Sequence, residues 1–100
     1  MLAAEQFDAL GDPTRRQVLG IILERPRSVG EIASRLPVSR PAVSQHLRVL
    51  ERSGLVAHHA MGTRRIYSPS SSGLDELRKA IEQMWDDALA RFAAAAEQED

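Results

Sequence analysis

No cysteine occurs in the 100 residues, so disulfides and thiolate metal centres are excluded outright. Aromatic residues are scarce, and the basic middle of the chain holds only Tyr67, which argues against an RNA reader built on stacking rings. No apolar run approaches the roughly 18–20 residues that span a bilayer. The stretch Met1–Asp12 carries Glu5, Asp8 and Asp12 but no base, so no secretory signal is expected and a cytoplasmic location follows. There is no glycine-rich phosphate loop. No spacing of histidines and carboxylates yields a nucleophile, an acid–base pair or a metal centre, so the expectation is no enzyme, no cofactor and no membrane partner. Internal repeats and low-complexity linkers are also lacking, and residues 1–100 are expected to form a single domain.

What the chain does have is an uneven distribution of charge. The formal net charge of −1 conceals three zones. Residues 1–12 hold three acids and no base. Residues 13–68 hold ten arginines against Glu24, Glu31 and Glu51, a net of +7. Residues 69–100 hold Arg78, Lys79 and Arg91 against eight acids, a net of −5. A basic middle between acidic ends is the pattern expected when only the middle meets a polyanion.

Apolar periodicity and punctuation give the elements. Leu2, Phe7 and Leu10 suggest a first helix over about 2–10. Asp12-Pro13 reads as an N-cap followed by proline at the first helical position. A second helix then runs to about Glu24, with Val18, Leu19, Ile22 and Leu23 inward, and Pro26 stops it. Ser28 and Glu31 have the capping-box spacing, and Val29, Ile32, Ala33 and Leu36 share one helical face. Pro37-Val38-Ser39 forms a turn, and a fourth helix over about 40–53 buries Val43, Leu47 and Leu50 before Gly54 closes it. Two extended pieces, Leu55–His59 and Thr63–Tyr67, are joined through Ala60-Met61-Gly62 as a hairpin. Pro69 and the cluster Ser70–Gly73 break the chain before a long helix over about 74–96. The predicted fold is mainly α with a small β-hairpin, a winged helix-turn-helix.

With Val43, Leu47 and Leu50 buried, the opposite side of the fourth helix presents Pro41, Ser44, Gln45, Arg48 and Arg52, and nothing acidic is expected there. Gln and Arg form paired hydrogen bonds with purine edges, and the N-terminal part of such a helix reads bases. Pro41, Ser44, Gln45 and Arg48 are therefore expected to read sequence, and Ser39 and Arg40 to meet phosphates. His46 sits at the border of the buried stripe, half-buried and bonded to backbone or phosphate. Arg64 and Arg65, neighbours on a strand, point to opposite faces. One is expected to reach DNA and the other to pair with an acid, with either assignment open. Exposed apolar groups are absent from the outward face of the fourth helix, which weakens the alternative of a winged helix used for protein–protein or RNA contact.

Leu10-Gly11-Asp12-Pro13-Thr14-Arg15-Arg16, Ser39 through Leu50, Ser53-Gly54-Leu55-Val56 and Gly62 through Tyr67 together resemble the ArsR/SmtB family of winged helix-turn-helix repressors. The similarity runs from about Phe7 to Phe92. It implies a homodimer joined by the first and last helices, with double-stranded operator DNA as partner. Leu2, Phe7, Leu77, Ile81, Met84, Trp85 and Phe92 are the expected interface residues, since the apolar stripe of the last helix is wider than one packed face requires. The family's metal-sensing Cys-Val-Cys aligns with Ser28-Val29-Gly30, and residues 74–100 contain no His. Asp86 and Asp87 alone make a poor transition-metal site, and His58 and His59 diverge on a strand. The chain thus resembles a thiol-free branch, and no metal response is expected. Thr63 stands where family wings commonly carry Arg, and no residue pattern designates an inducer.

Overall fold

The computed structural model describes residues 2–98, excluding the side chains of Leu2 and Ala3. The expected interface role of Leu2 therefore lies outside the described residues. Helix α1 spans Leu2–Ala9 and helix α2 spans Pro13–Glu24. The Asp12 carboxylate caps α2 by accepting from the Arg15 backbone N–H at 3.0 Å, which satisfies one of the donors a helix start leaves free. Arg25 is extended (φ −171°, ψ 161°), as the following Pro26 requires.

Along α2, Val18, Leu19, Ile21 and Ile22 are buried, whereas Leu23, expected inward, is 51% exposed. At 100° per residue Leu23 lies about 120° from the centre of the other four. The buried stripe therefore takes Ile21 instead.

A short strand that sequence patterning does not anticipate follows: β1, Arg27–Ser28. Helix α3 covers Val29–Ala33, and α4 covers Arg40–Arg52. The capping box is complete, with Ser28 Oγ accepting from the Glu31 N–H and Glu31 Oε1 accepting from the Ser28 N–H. Helix α3 ends before Leu36, earlier than its apolar period suggests. The Ser34 hydroxyl donates to the Glu31 carbonyl at 2.7 Å, and Leu36 precedes Pro37, which disfavours helical backbone there. Leu36 still packs on the core. The α3–α4 connection consequently covers 34–39 rather than Pro37–Ser39 alone.

Gly54 takes the left-handed backbone (φ +83°) that ends α4. Strands β2 (Val56–Met61) and β3 (Arg64–Pro69) form the wing, and β1 pairs with β3 to give the sheet order β1-β3-β2, antiparallel throughout. The wing turns at Gly62-Thr63, with Met61 opposite Arg64, one step beyond the expected Ala60–Gly62. A two-residue hairpin turn of this kind needs positive φ at its first position, and Gly62 (φ +64°) supplies it.

Helix α5 spans Ser71–Glu97, so Ser71, Ser72 and Gly73 form its first turn instead of breaking the chain. Ser70 caps it, and a Cβ on Gly73 would fall 1.7 Å from the Gly54 carbonyl oxygen. Only glycine lets α5 start against the end of α4. Gln6, fully buried on α1, donates from Nε2 to the Gly73 carbonyl at 3.0 Å, joining both terminal helices to this corner.

Val18, Ile22, Ile32, Val43, Leu47, Leu50 and Leu55 form the centre of the core. Leu77 corrects an expectation, because it is 9% exposed and packs into this same core. Its position one helical turn nearer the winged domain than Ile81 turns it inward. Among the described residues no helix is long and apolar enough to cross a membrane.

Candidate nucleic-acid interface

Arg40, Ser44, Arg48 and Glu51 recur along one face of α4 at steps of four, four and three, close to whole helical turns. They form one wall of a trough of about 650 Å³. Its other walls are the start of α3, from Ser28 to Glu31, and the wing residues Thr63, Arg64, Arg65 and Tyr67. The α4 face expected to be free of acid therefore includes Glu51. The spacing from Ser44 to Glu51, two turns of helix, was the signal available for it.

At the α4 N-terminus, Ser39 Oγ accepts from the Ala42 N–H at 3.3 Å, so this side chain is used in capping. Gly30 carries no side chain where a Cβ would meet the Arg40 guanidinium at 3.6 Å, and Arg40 occupies the space beside α3. Pro41 and Gln45 are exposed. Arg48 Nη1 donates to Gln45 Oε1 at 2.9 Å, which holds two hydrogen-bonding side chains together on the outer surface.

His46 is half-buried as expected, but it is not among the residues lining the trough. Its Nδ1 lies 3.4 Å from Arg15 Nη1. The same guanidinium donates from Nε to the Ala9 carbonyl at 2.6 Å. Arg15, which sequence reading did not single out, thus connects the end of α1, the start of α2 and the middle of α4.

The two wing arginines separate clearly. Arg64 Nη2 donates to Ser28 Oγ at 2.8 Å and to Glu31 Oε1 at 3.0 Å. Arg65 is exposed and makes no ion pair or side-chain hydrogen bond among the described residues. Glu31 is also 3.8 Å from Arg25. The Ser28 backbone N–H, then its hydroxyl, and then the two guanidiniums hold the Glu31 carboxyl below its ordinary range. Glu51 accepts from His58 Nδ1 at 2.5 Å. Both acids lining the trough are thus paired, whereas Arg40, Arg48 and Arg65 keep their charge free of carboxylates among the described residues.

A second surface lies on the opposite flank. Phe7 of α1 and Ile81, Met84, Trp85 and Ala88 of α5 line an apolar groove of about 300 Å³. Trp85 is 64% and Phe92 75% exposed.

Comparison with known proteins places the fold among transcriptional regulators. The family described as bacterial regulatory protein, arsR family, matches residues 12–58. The HTH-type transcriptional regulator Rv2034 of Mycobacterium tuberculosis is 46% identical over 87 residues, covering 87% of this chain and 81% of that protein. The transcriptional repressor SdpR of Bacillus subtilis is 31% identical, covering 70% of this chain and 78% of its own. An ArsR-like transcriptional regulator from Rhodococcus sp. RHA1 superposes with a TM-score of 0.87 at 30% identity, covering 99% of this chain and 93% of that one.

Proposed function

The chain belongs to the arsR family of bacterial regulatory proteins, and on that premise we propose that it represses transcription as a homodimer seated on an inverted-repeat operator. It is a DNA-binding transcriptional regulator, a non-enzymatic role. The observation that carries the finer reading is the charge arrangement of the trough, where the acids are paired and Arg40, Arg48 and Arg65 are left for phosphates and bases. Gln45 and Arg48, exposed and already in contact, are the base-reading pair of this proposal.

The apolar stripe from Ile81 to Phe92 supports a second copy, with α1 and α5 as the dimerisation helices. Repression is supported by the similarity to SdpR, which is named a repressor. A chain without cysteine, and without histidine after residue 73, supports regulation that does not depend on a transition metal. The only aromatic residue of the trough, Tyr67, is buried, which does not favour RNA stacking.

Selection of bound genomic fragments at near-physiological salt tests this reading. The expected result is an inverted repeat with half-sites about 34 Å apart, one turn of duplex. A reporter placed behind a recovered fragment should fall on expression of the protein. Fragments without a shared motif, or a reporter that rises, would overturn sequence-specific repression.

A further inference from the structure

The two acids of the trough are restrained in different ways. Glu31 is held by two arginines and a helix cap, whereas Glu51 is held by one imidazole. Glu51 is the only acid on α4, and it shares a face with Ser44 and Arg48. His58 reaches it from β2, with its ring tilted against the buried Tyr67 ring at a centroid distance of 5.3 Å. Among the described residues this is the one side-chain hydrogen bond between α4 and the wing. A carboxylate left free on this face would oppose an approaching phosphate backbone, since like charges brought together without a partner repel strongly.

We propose that His58 is a positioning residue for DNA recognition, hydrogen-bonding the Glu51 carboxylate so that the one acid of α4 is engaged and not left free to face the phosphate backbone. The assignment rests on the DNA-binding reading above. His58 needs no contact with DNA to act in this way. Its neighbour His59 pairs across the strand with Ile66 rather than Tyr67 and so belongs to the other face of the sheet.

Binding of the full-length chain to a labelled selected operator and to a random-sequence duplex, followed by fluorescence anisotropy, tests the assignment. His58→Ala should weaken binding to both duplexes by roughly three- to tenfold. Glu51→Gln should bind more tightly than wild type, and adding Glu51→Gln to His58→Ala should recover the lost affinity. A purely structural brace predicts the reverse for the double variant, because nothing would rejoin the wing to α4. Wild-type affinity in His58→Ala, or a double variant as weak as His58→Ala, would overturn the proposal. Should His58→Ala fail to fold by circular dichroism, Glu51→Gln decides, and weaker binding than wild type refutes it. Wild-type protein that binds neither duplex defeats the functional reading and this assignment with it. Wild-type binding with an unaffected His58→Ala defeats the assignment alone.

Discussion

Arg64 and Arg65 carry the same charge on adjacent positions, yet their surroundings give them different roles. Arg64 is committed to Ser28 and Glu31, while Arg65 has no carboxylate partner among the described residues. Replacing Arg65 with Ala should weaken binding to specific and random duplexes alike and lower the salt slope of log K by about one. Arg64→Ala should leave the salt slope nearly unchanged and cost less than about 1 kcal/mol of stability, because its ion pair is solvent-exposed. Titrations at four or five salt concentrations distinguish the two; equal slopes for both variants would contradict this division. Strand alternation alone shows that the two arginines diverge. Which one meets an acid depends on β1 bringing Ser28, and the α3 cap behind it, next to the wing.

At the scale of elements, the caps and corner glycines govern how the helices begin. The Asp12 carboxyl is held below its ordinary value of 3.8, mainly by the Arg15 backbone N–H, and Glu31 below 4.5, mainly by that of Ser28. A carboxyl whose folded pKa is depressed adds stability above its unfolded pKa and loses it as pH falls through the folded pKa. Both groups should therefore contribute to a decline in stability below about pH 4.5. Asp12→Asn keeps a capping oxygen but cannot titrate. Its urea midpoint should vary less than that of wild type between about pH 5 and pH 3, and an identical pH profile would exclude Asp12 as a contributor. The glycines give a paired test. Gly73→Ala places a Cβ onto the Gly54 carbonyl and should cost about 1–3 kcal/mol or more. Gly20, exposed within α2, has nothing within 4 Å of its Cβ position, so Gly20→Ala should stabilise by about 0.5–1 kcal/mol. Thermal melts that move in the same direction for both would refute the packing argument.

For the whole molecule, the shape itself is informative. The radius of gyration is 17.5 Å and the long dimension 66 Å, against about 13 Å for the radius of a compact chain of this length. The excess comes from α5, whose 27 residues extend about 40 Å at 1.5 Å per residue. Beyond Leu77 it carries Met84, Trp85, Leu89 and Phe92 in solvent. So large an apolar stripe on a monomer of this size favours a partner surface. Changing Trp85 and Phe92 together to Ala should leave the fold intact by circular dichroism and yield monomers in sedimentation. Operator affinity should also fall, because each half-site would be bound separately. Persistence of dimers would place the interface elsewhere.

The helix-turn-helix and its wing are legible in the order of residues along the chain. These depend on local signals: Asp12-Pro13, the Ser28–Glu31 box, Ser39 before α4, Gly54 after it, and the period of Val43, Leu47 and Leu50. Each acts within a few residues, where backbone sterics and hydrogen-bond satisfaction decide the outcome. Which charges remain free is set only where distant segments of the chain meet. Arg64 is neutralised by a residue 33 positions away, and Arg15 reaches a histidine 31 positions away. Tertiary packing also placed Leu77 in the core, Leu23 at the surface and Gly73 inside a helix against Gly54. Pairing and burial of this kind depend on where elements meet, and local periodicity does not encode the distance between separate segments of the chain.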